Sequence, residues 1–217
     1  MYQVVLFDLD GTLTDPGLGI TNSVMYALKK WGIEVSERSE LYQFIGPPLK
    51  ESFQRFYGFS EEKAEQSIEY YREYFREKGL FENQVYAGIK ELLETLQVSG
   101  RKIILATSKP EEFAVQILEH FGLAKYFFCI GGASMDGVRS EKADVISYVL
   151  KKAGVENLSE TVMVGDRKHD MMGAKKVGMD SIGVLFGYGN YEELQNAGAT
   201  YIVDSVDEIS DIILGNT

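Results

Sequence analysis

Cysteine occurs once in the 217 residues, at Cys129 inside the apolar run Tyr126–Ile130. A single thiol closes no internal disulfide, so a disulfide-stapled secreted scaffold is excluded and a reducing compartment is permitted. Cys129 itself reads as a small buried apolar residue, not a reactive thiol. Apolar runs are short, and none approaches the roughly 20 residues that a membrane span needs. The opening Met1–Asp10 segment carries no basic region and meets an acid after a few apolar residues, so no signal peptide is expected and a cytoplasmic location is. Positive charge is scarce: 22 Lys and Arg stand against 33 Asp and Glu, a formal net charge of -11. With no basic cluster long enough to track a phosphate backbone, nucleic-acid binding is excluded as a main function. Internal repeats and low-complexity segments are also missing.

What remains is an ordinary balance, 45% hydrophobic and 25% charged, enough to bury a core without staples. Near-continuous apolar runs predict strands at Val4–Leu9, Lys102–Thr107, Phe127–Gly131, Thr161–Gly165, Ser181–Phe186 and Tyr201–Val203, of the kind buried on both faces of a parallel sheet. Helical patterns separate them. Ile89, Leu92, Leu93 and Leu96 form one stripe; Pro110 opens a helix that stops at Gly122; a third helix runs from Lys142 to Ala153 and ends before Gly154. This alternation predicts an α/β fold with a doubly wound parallel sheet. Between the first two strands lie roughly 65 residues of helical pattern, too many for a simple crossover. Ile20, Val24, Leu28 and Trp31 repeat at helical spacing, as do Ala64, Ile68, Tyr71 and Phe75, which reads as helix–helix core. The expected division is therefore a core of residues 1–16 and 82–217 with an inserted helical cap of residues 17–81.

Chemistry-bearing residues fall at the ends of the predicted strands. Asp8 and Asp10, two apart, follow the first, where ligands bind in open α/β sheets. Packing supplies no reason to place two acids there, although a strand-end turn with an Asp capping a helix is the plain alternative. Gly11 permits a sharp turn, and the amides near it and Thr12 can face an oxyanion. Thr107 and Ser108 follow the second strand and offer hydroxyls, or merely a helix cap. Lys142 opens a helix. Asp166 and Asp170 follow a fourth strand, four apart, so a helix beginning there brings them together; acids complementing a helix dipole are the alternative.

In this order, Asp8-Leu-Asp10-Gly-Thr12, Thr107-Ser108, Lys142 and Gly165-Asp166…Asp170 resemble the signature of the haloacid dehalogenase-like hydrolases. The resemblance spans Asp8 to Asp170, and within it Asp136–Lys142, Gly165–Asp170 and Ile45–Leu49 look most like the phosphoglycolate phosphatase and 5′-nucleotidase-like branch. It implies a Rossmann-like core with a helical cap, and a magnesium-dependent phosphatase acting on a small soluble phosphomonoester. It implies Asp8 as nucleophile forming an aspartyl-phosphate, Asp10 as general acid and base, and Thr107 and Lys142 as holders of the phosphoryl oxygens. Magnesium (Mg2+) would sit among Asp8, the Asp10 backbone carbonyl and Asp166, with Asp170 orienting Lys142 or a metal-bound water. Gly46 and Lys50, in the stiff loop Ile45-Gly-Pro-Pro-Leu-Lys50, are the expected cap contacts to the leaving group. No independent chemical need is evident for His169; Arg139 either reaches the leaving group or only forms a salt bridge, and Arg167 is assigned no role. A monomer or weak homodimer is expected. A phosphosugar mutase using the same intermediate, or a non-catalytic module that binds phosphate esters, are the competing readings; a dehalogenase would not need Asp10.

Overall fold

The computed structural model describes residues 1–216. The chain divides into two compact units, one made of Met1–Thr14 with Val85–Thr217, the other of Asp15–Gln84.

The first unit is built on a six-stranded sheet. Its strands are β1 (Val4–Phe7), β4 (Lys102–Pro110), β5 (Cys129–Ala133), β6 (Thr161–Gly165), β7 (Asp180–Val184) and β8 (Tyr201–Val203), in the order β5-β4-β1-β6-β7-β8. All five pairings between neighbouring strands of this sheet are parallel. The chain steps outward from β1 through β4 to β5, then returns to the other side of β1 at β6. That reversal leaves a crevice beyond the carboxyl end of β1, the place where open α/β sheets bind ligands. Helices α4 (Ile89–Val98), α5 (Glu111–His120), α6 (Lys142–Ala153), α7 (Lys168–Val177) and α8 (Tyr191–Ala197) lie between the strands, and α9 (Val206–Leu214) follows β8. Leu6, Ile104, Val145, Ile146, Val149 and Met163 form one buried cluster beneath α6. Each such side chain, fully buried, contributes about 1.5–3 kcal/mol of transfer free energy.

Strand ends differ from the sequence pattern in instructive ways. β1 stops at Phe7 instead of Leu9 because the Leu9 carbonyl turns to accept the amides of Thr12, Leu13 and Thr14 at 3.3, 2.9 and 3.0 Å. β5 begins at Cys129, leaving Phe127 outside the ladder and Phe128 64% exposed under the Lys102 ammonium. β4 runs on to Pro110 through an irregularity: Thr107 pairs with Gly132, and the next pair is Pro110 with Ala133.

The second unit is helical: α1 (Gly17–Lys29), α2 (Leu49–Tyr57) and α3 (Glu61–Tyr74), with a short 3-10 segment at Arg38–Phe44 and a π-turn at Phe75–Gly79. Phe44 packs on Phe53 at 5.1 Å between ring centres, and Tyr71 stacks on Phe75 at 5.3 Å. Trp31 lies beyond the end of α1, not on its stripe; it is half-exposed and donates its indole N–H to Ser67 at 2.9 Å. The two-residue strands β2 (Thr14–Asp15) and β3 (Gln84–Val85) pair where the chain passes from one unit to the other. No helix among the described residues is long and apolar enough to cross a membrane.

Candidate active site

Register decides which side chains meet. Phe7 pairs with Leu105 on one side and Val164 on the other, so the residues that follow each strand emerge side by side. The Asp8 amide still donates to the Val164 carbonyl at 2.9 Å, which fixes Asp8 next to Gly165 and Asp166. One carboxylate oxygen from each of Asp8, Asp166 and Asp170 lies within 4.8 Å of the others, and all three residues are buried.

Lys142, the first residue of α6, reaches into this cluster. Its Nζ stands 2.8 Å from Asp8 Oδ1, 2.7 Å from Asp170 Oδ1 and 3.1 Å from the Ala106 carbonyl. Its stem fits because α7 carries Gly173: a Cβ there would come within 2.7 Å of the Lys142 Cγ. Burial works against the Lys142 charge, yet Asp170 and Asp8 outweigh it and raise its pKa. Asp170 accepts the Arg167 amide on its other oxygen at 3.1 Å, and Gly165 leaves the room it occupies. Burial raises Asp170 to about 6, against the pull of Lys142 and with the push of Asp8. Asp166 is fully buried; burial above all, then Asp170 and Asp8, push it well above the usual carboxylate range. Its Oδ2 accepts the Tyr188 amide at 2.7 Å, whereas Oδ1 has no hydrogen-bond partner among the described residues.

The Asp10 carboxylate stands outside this trio. Its Oδ2 pairs with Lys109 Nζ at 2.8 Å, and Oδ1 is buried without a hydrogen-bond partner among the described residues. Burial raises its pKa, with Lys109 opposing. Thr107 is buried, and its hydroxyl oxygen accepts the Lys109 amide at 3.2 Å, so its own proton is left to donate. Ser108 is half-buried beside it. Gly11 takes φ 81°, and a Cβ would strike Asp166 Oδ2 at 2.1 Å; its amide is committed to the Thr14 carbonyl at 2.8 Å and is therefore not a free oxyanion donor. Thr12 is buried with its hydroxyl lacking a hydrogen-bond partner among the described residues.

Other expected residues turn elsewhere. In the helical unit, Gly46 adopts φ 103°, which favours glycine, and Lys50 spends its charge on Glu61 and Glu65 at 2.6 and 2.8 Å. Arg139 donates to the Gly132 carbonyl at 2.8 Å, pairs with Glu111 at 3.3 Å and lies 3.7 Å over the Tyr148 ring. Arg167 pairs with Glu193 at 2.9 Å. Both arginines thus brace the loops that present Lys142 and Asp170. His169 lies half-buried in the first turn of α7.

Two parts of the site escape sequence reasoning. Lys109 is one. The other is the loop Gly187-Tyr188-Gly189 after β7, which closes over Asp166. A Cβ on Gly187 would lie 2.4 Å from the Asp166 Cβ, and one on Gly189 would lie 1.9 Å from the Asp166 carbonyl oxygen. The paired glycines in Phe186-Gly-Tyr-Gly189 were the available signal, but they read equally as a turn.

A hard, oxygen-only, buried donor set with one unpartnered carboxylate oxygen and mutually repelling acids suits a small divalent cation of the magnesium kind. It can also present a carboxylate nucleophile to an anionic ester with a lysine alongside.

The model of the family described as haloacid dehalogenase-like hydrolase matches residues 5–184. A Pseudomonas aeruginosa protein named 5′-nucleotidase is 45% identical over 194 residues, 89% of this chain and 87% of its own. A Mycobacterium tuberculosis protein named Tyrosine-protein kinase PtkA is 39% identical over 214 residues, 97% of this chain and 72% of its own. Among solved structures, a predicted phosphatase from Clostridium acetobutylicum is similar with a TM-score of 0.96 and 53% identity over 99% of each chain.

Proposed function

The chain belongs to the haloacid dehalogenase-like hydrolase family, and we propose that it is a magnesium-dependent phosphatase that hydrolyses a small phosphomonoester through an aspartyl-phosphate on Asp8. The observation that carries this reading is the convergence of Asp8, Asp166 and Asp170 within 4.8 Å, with Lys142 on two of them. Asp8 and Asp166, with the Asp10 carbonyl, would hold the ion. When bound, magnesium offsets the repulsion between an anionic nucleophile and an anionic ester and polarises the phosphoryl oxygens.

The chain's own groups supply the rest. An Asp8 oxygen attacks phosphorus while the bond to the ester oxygen breaks and its electron pair leaves with that oxygen. Asp10 gives the leaving oxygen a proton, then takes one back from the water that attacks the aspartyl-phosphate, releasing inorganic phosphate and restoring Asp8. Lys142 and the Thr107 hydroxyl hold the transferring oxygens. Gly11 and Thr12 shape the turn beneath them, and Ser108 lines the same edge. The name of the 45% identical relative, 5′-nucleotidase, supports a nucleoside monophosphate as the substrate ahead of phosphoglycolate or a sugar phosphate.

A phosphate-release screen over metabolite monoesters, with and without magnesium, tests the reading. Release that requires magnesium and stops with chelator supports it. An isomerised sugar phosphate would point to the mutase, phosphotyrosine formed from a nucleotide donor to the kinase chemistry named for the mycobacterial relative, and no turnover to a binding module.

Metal binding carries a proton signature. With no ion, the raised pKa values of Asp170 (about 6) and Asp166 mean that the folded chain holds more protons than the unfolded chain between the ordinary Asp value and about 6. Stability of the metal-free protein therefore falls as pH rises through that window. Magnesium requires the ionised acids, so its apparent affinity should fall by up to about tenfold per pH unit, per carboxylate titrating, below it. Thermal shifts induced by magnesium should be large at neutral pH and small near pH ~5; a shift independent of pH would contradict this.

A Cβ on Gly187 would lie 2.4 Å from the Asp166 Cβ and 2.6 Å from its Oδ2, so Gly187→Ala should displace Asp166 and the Tyr188 amide that it accepts together. The concentration of magnesium giving half-maximal activity is expected to rise about 10- to 100-fold, as for other lost supports of metal ligands. Titration of phosphate release against magnesium checks it.

A further inference from the structure

We propose that Lys109 is a positioning residue for proton transfer: it ties Asp10 Oδ2 so that Oδ1 is the oxygen presented to the leaving group. The inference rests on the reading of Asp10 as general acid and goes beyond it.

Lysines are seldom buried without a task, and Lys109 is only 9% exposed. The backbone is built to bury it. β4 carries Ser108 and Lys109 as extra residues between the pairs Thr107–Gly132 and Pro110–Ala133. An irregularity of this kind re-aims a side chain that a regular pleat would send elsewhere. Gly132 makes the room, since a Cβ there would lie 2.4 Å from the Lys109 carbonyl oxygen and 2.8 Å from the Glu111 amide nitrogen. The Lys109 amide is then anchored on the Thr107 hydroxyl at 3.2 Å.

The consequence is an asymmetric Asp10. One oxygen is held at 2.8 Å by a side chain that is itself 6% exposed, and the other is buried with no hydrogen-bond partner among the described residues. A carboxyl clamped by one oxygen keeps its rotamer and directs the second at a single place. Proton transfer demands that aim, because a general acid works only within about 2.6–3.2 Å of the atom it protonates.

The test uses substrates that need the proton to different degrees. An alkyl phosphate leaves as a strongly basic alkoxide and depends on Asp10; 4-nitrophenyl phosphate leaves as a weak base and does not. Lys109→Met should lower kcat/KM, which ends at the first transfer to Asp8 and so leaves out the hydrolysis step common to both esters, about 100-fold for the alkyl phosphate and less than about threefold for the nitrophenyl ester. Lys109→Gln, whose amide still donates to Asp10, should fall between wild type and Lys109→Met on the alkyl ester, and it carries the test alone if the Met variant does not fold. Asp10→Asn is the control. If Asp10→Asn discriminates between the esters in kcat/KM and the Lys109 variants lower kcat/KM for both equally, as lost phosphate contacts would, the inference about Lys109 is overturned and the general-acid reading stands. If Asp10→Asn itself does not discriminate, the general-acid reading fails and the inference falls with it.

Discussion

Asp8→Asn is expected to lower phosphate release by about three orders of magnitude or more, the loss that follows removal of a covalent nucleophile. The amide is nearly isosteric with the carboxylate, so shape is preserved. The surroundings tolerate the change because Lys142 keeps Asp170 at 2.7 Å and the Ala106 carbonyl at 3.1 Å. Removing one of three crowded acids also relieves repulsion on Asp166 and Asp170, both of which Asp8 helps to raise. The variant should therefore be folded and at least as thermally stable as wild type without metal. Circular dichroism and thermal melting check that half of the claim. For the other half, acid-quenched wild type incubated with substrate should carry the mass of one phosphoryl group, and Asp8→Asn should not. Activity above about a tenth of wild type, with mass spectrometry excluding deamidation back to Asp, contradicts covalent catalysis at this residue.

Asp8 was legible in the sequence because the physics that exposes it is local. A run such as Val4-Val-Leu-Phe7 must be buried on both faces, and acids directly after it have no packing explanation. The same logic reached Thr107, Asp166 and Asp170 from Ile103–Ala106 and Thr161–Gly165. Lys142 was legible from the residues alone only as a helix start; its pairing with Asp8 and Asp170 shows in the folded chain. Lys109 was not, because its direction depends on a register irregularity between β4 and β5, which is set by the partner strand and by the space at Gly132. Nor was the role of Tyr188, which acts through its backbone amide and so leaves no mark on residue type. Arg139 and Arg167 sit in motif-like positions, but their partners Glu111 and Glu193 lie 28 and 26 residues away. Only the folded chain shows that their charge is spent on bracing loops.

Lys142→Met should have a double effect, on stability and on catalysis, that a second substitution separates. The ammonium is the cation at 2.8 Å from Asp8 and 2.7 Å from Asp170, with the side chain 4% exposed. Removing one partner of a buried ion pair strands the other, at a typical cost of about 3–5 kcal/mol. Methionine keeps most of the stem that packs against Gly173, so the loss is electrostatic and not a cavity. Without Lys142 the acids bind protons more tightly, so the destabilisation should be greatest above the variant's further-raised Asp170 value, shrink as pH falls from there towards the wild-type value of about 6, and level off below it. Turnover should fall about 100- to 1000-fold, as when a preorganised donor to a developing anion is lost. Adding Asp170→Asn to Lys142→Met takes away one of the two stranded charges and leaves Asp8 as the other. The double variant should recover the Asp170 share of the lost stability while recovering none of the activity, since the ammonium is still missing. Denaturant unfolding and phosphate release on the four members of the cycle decide it. Additive stability losses would mean that the lysine and the aspartate do not form one unit, and recovered turnover in the double variant would mean that Lys142 holds no phosphoryl oxygen.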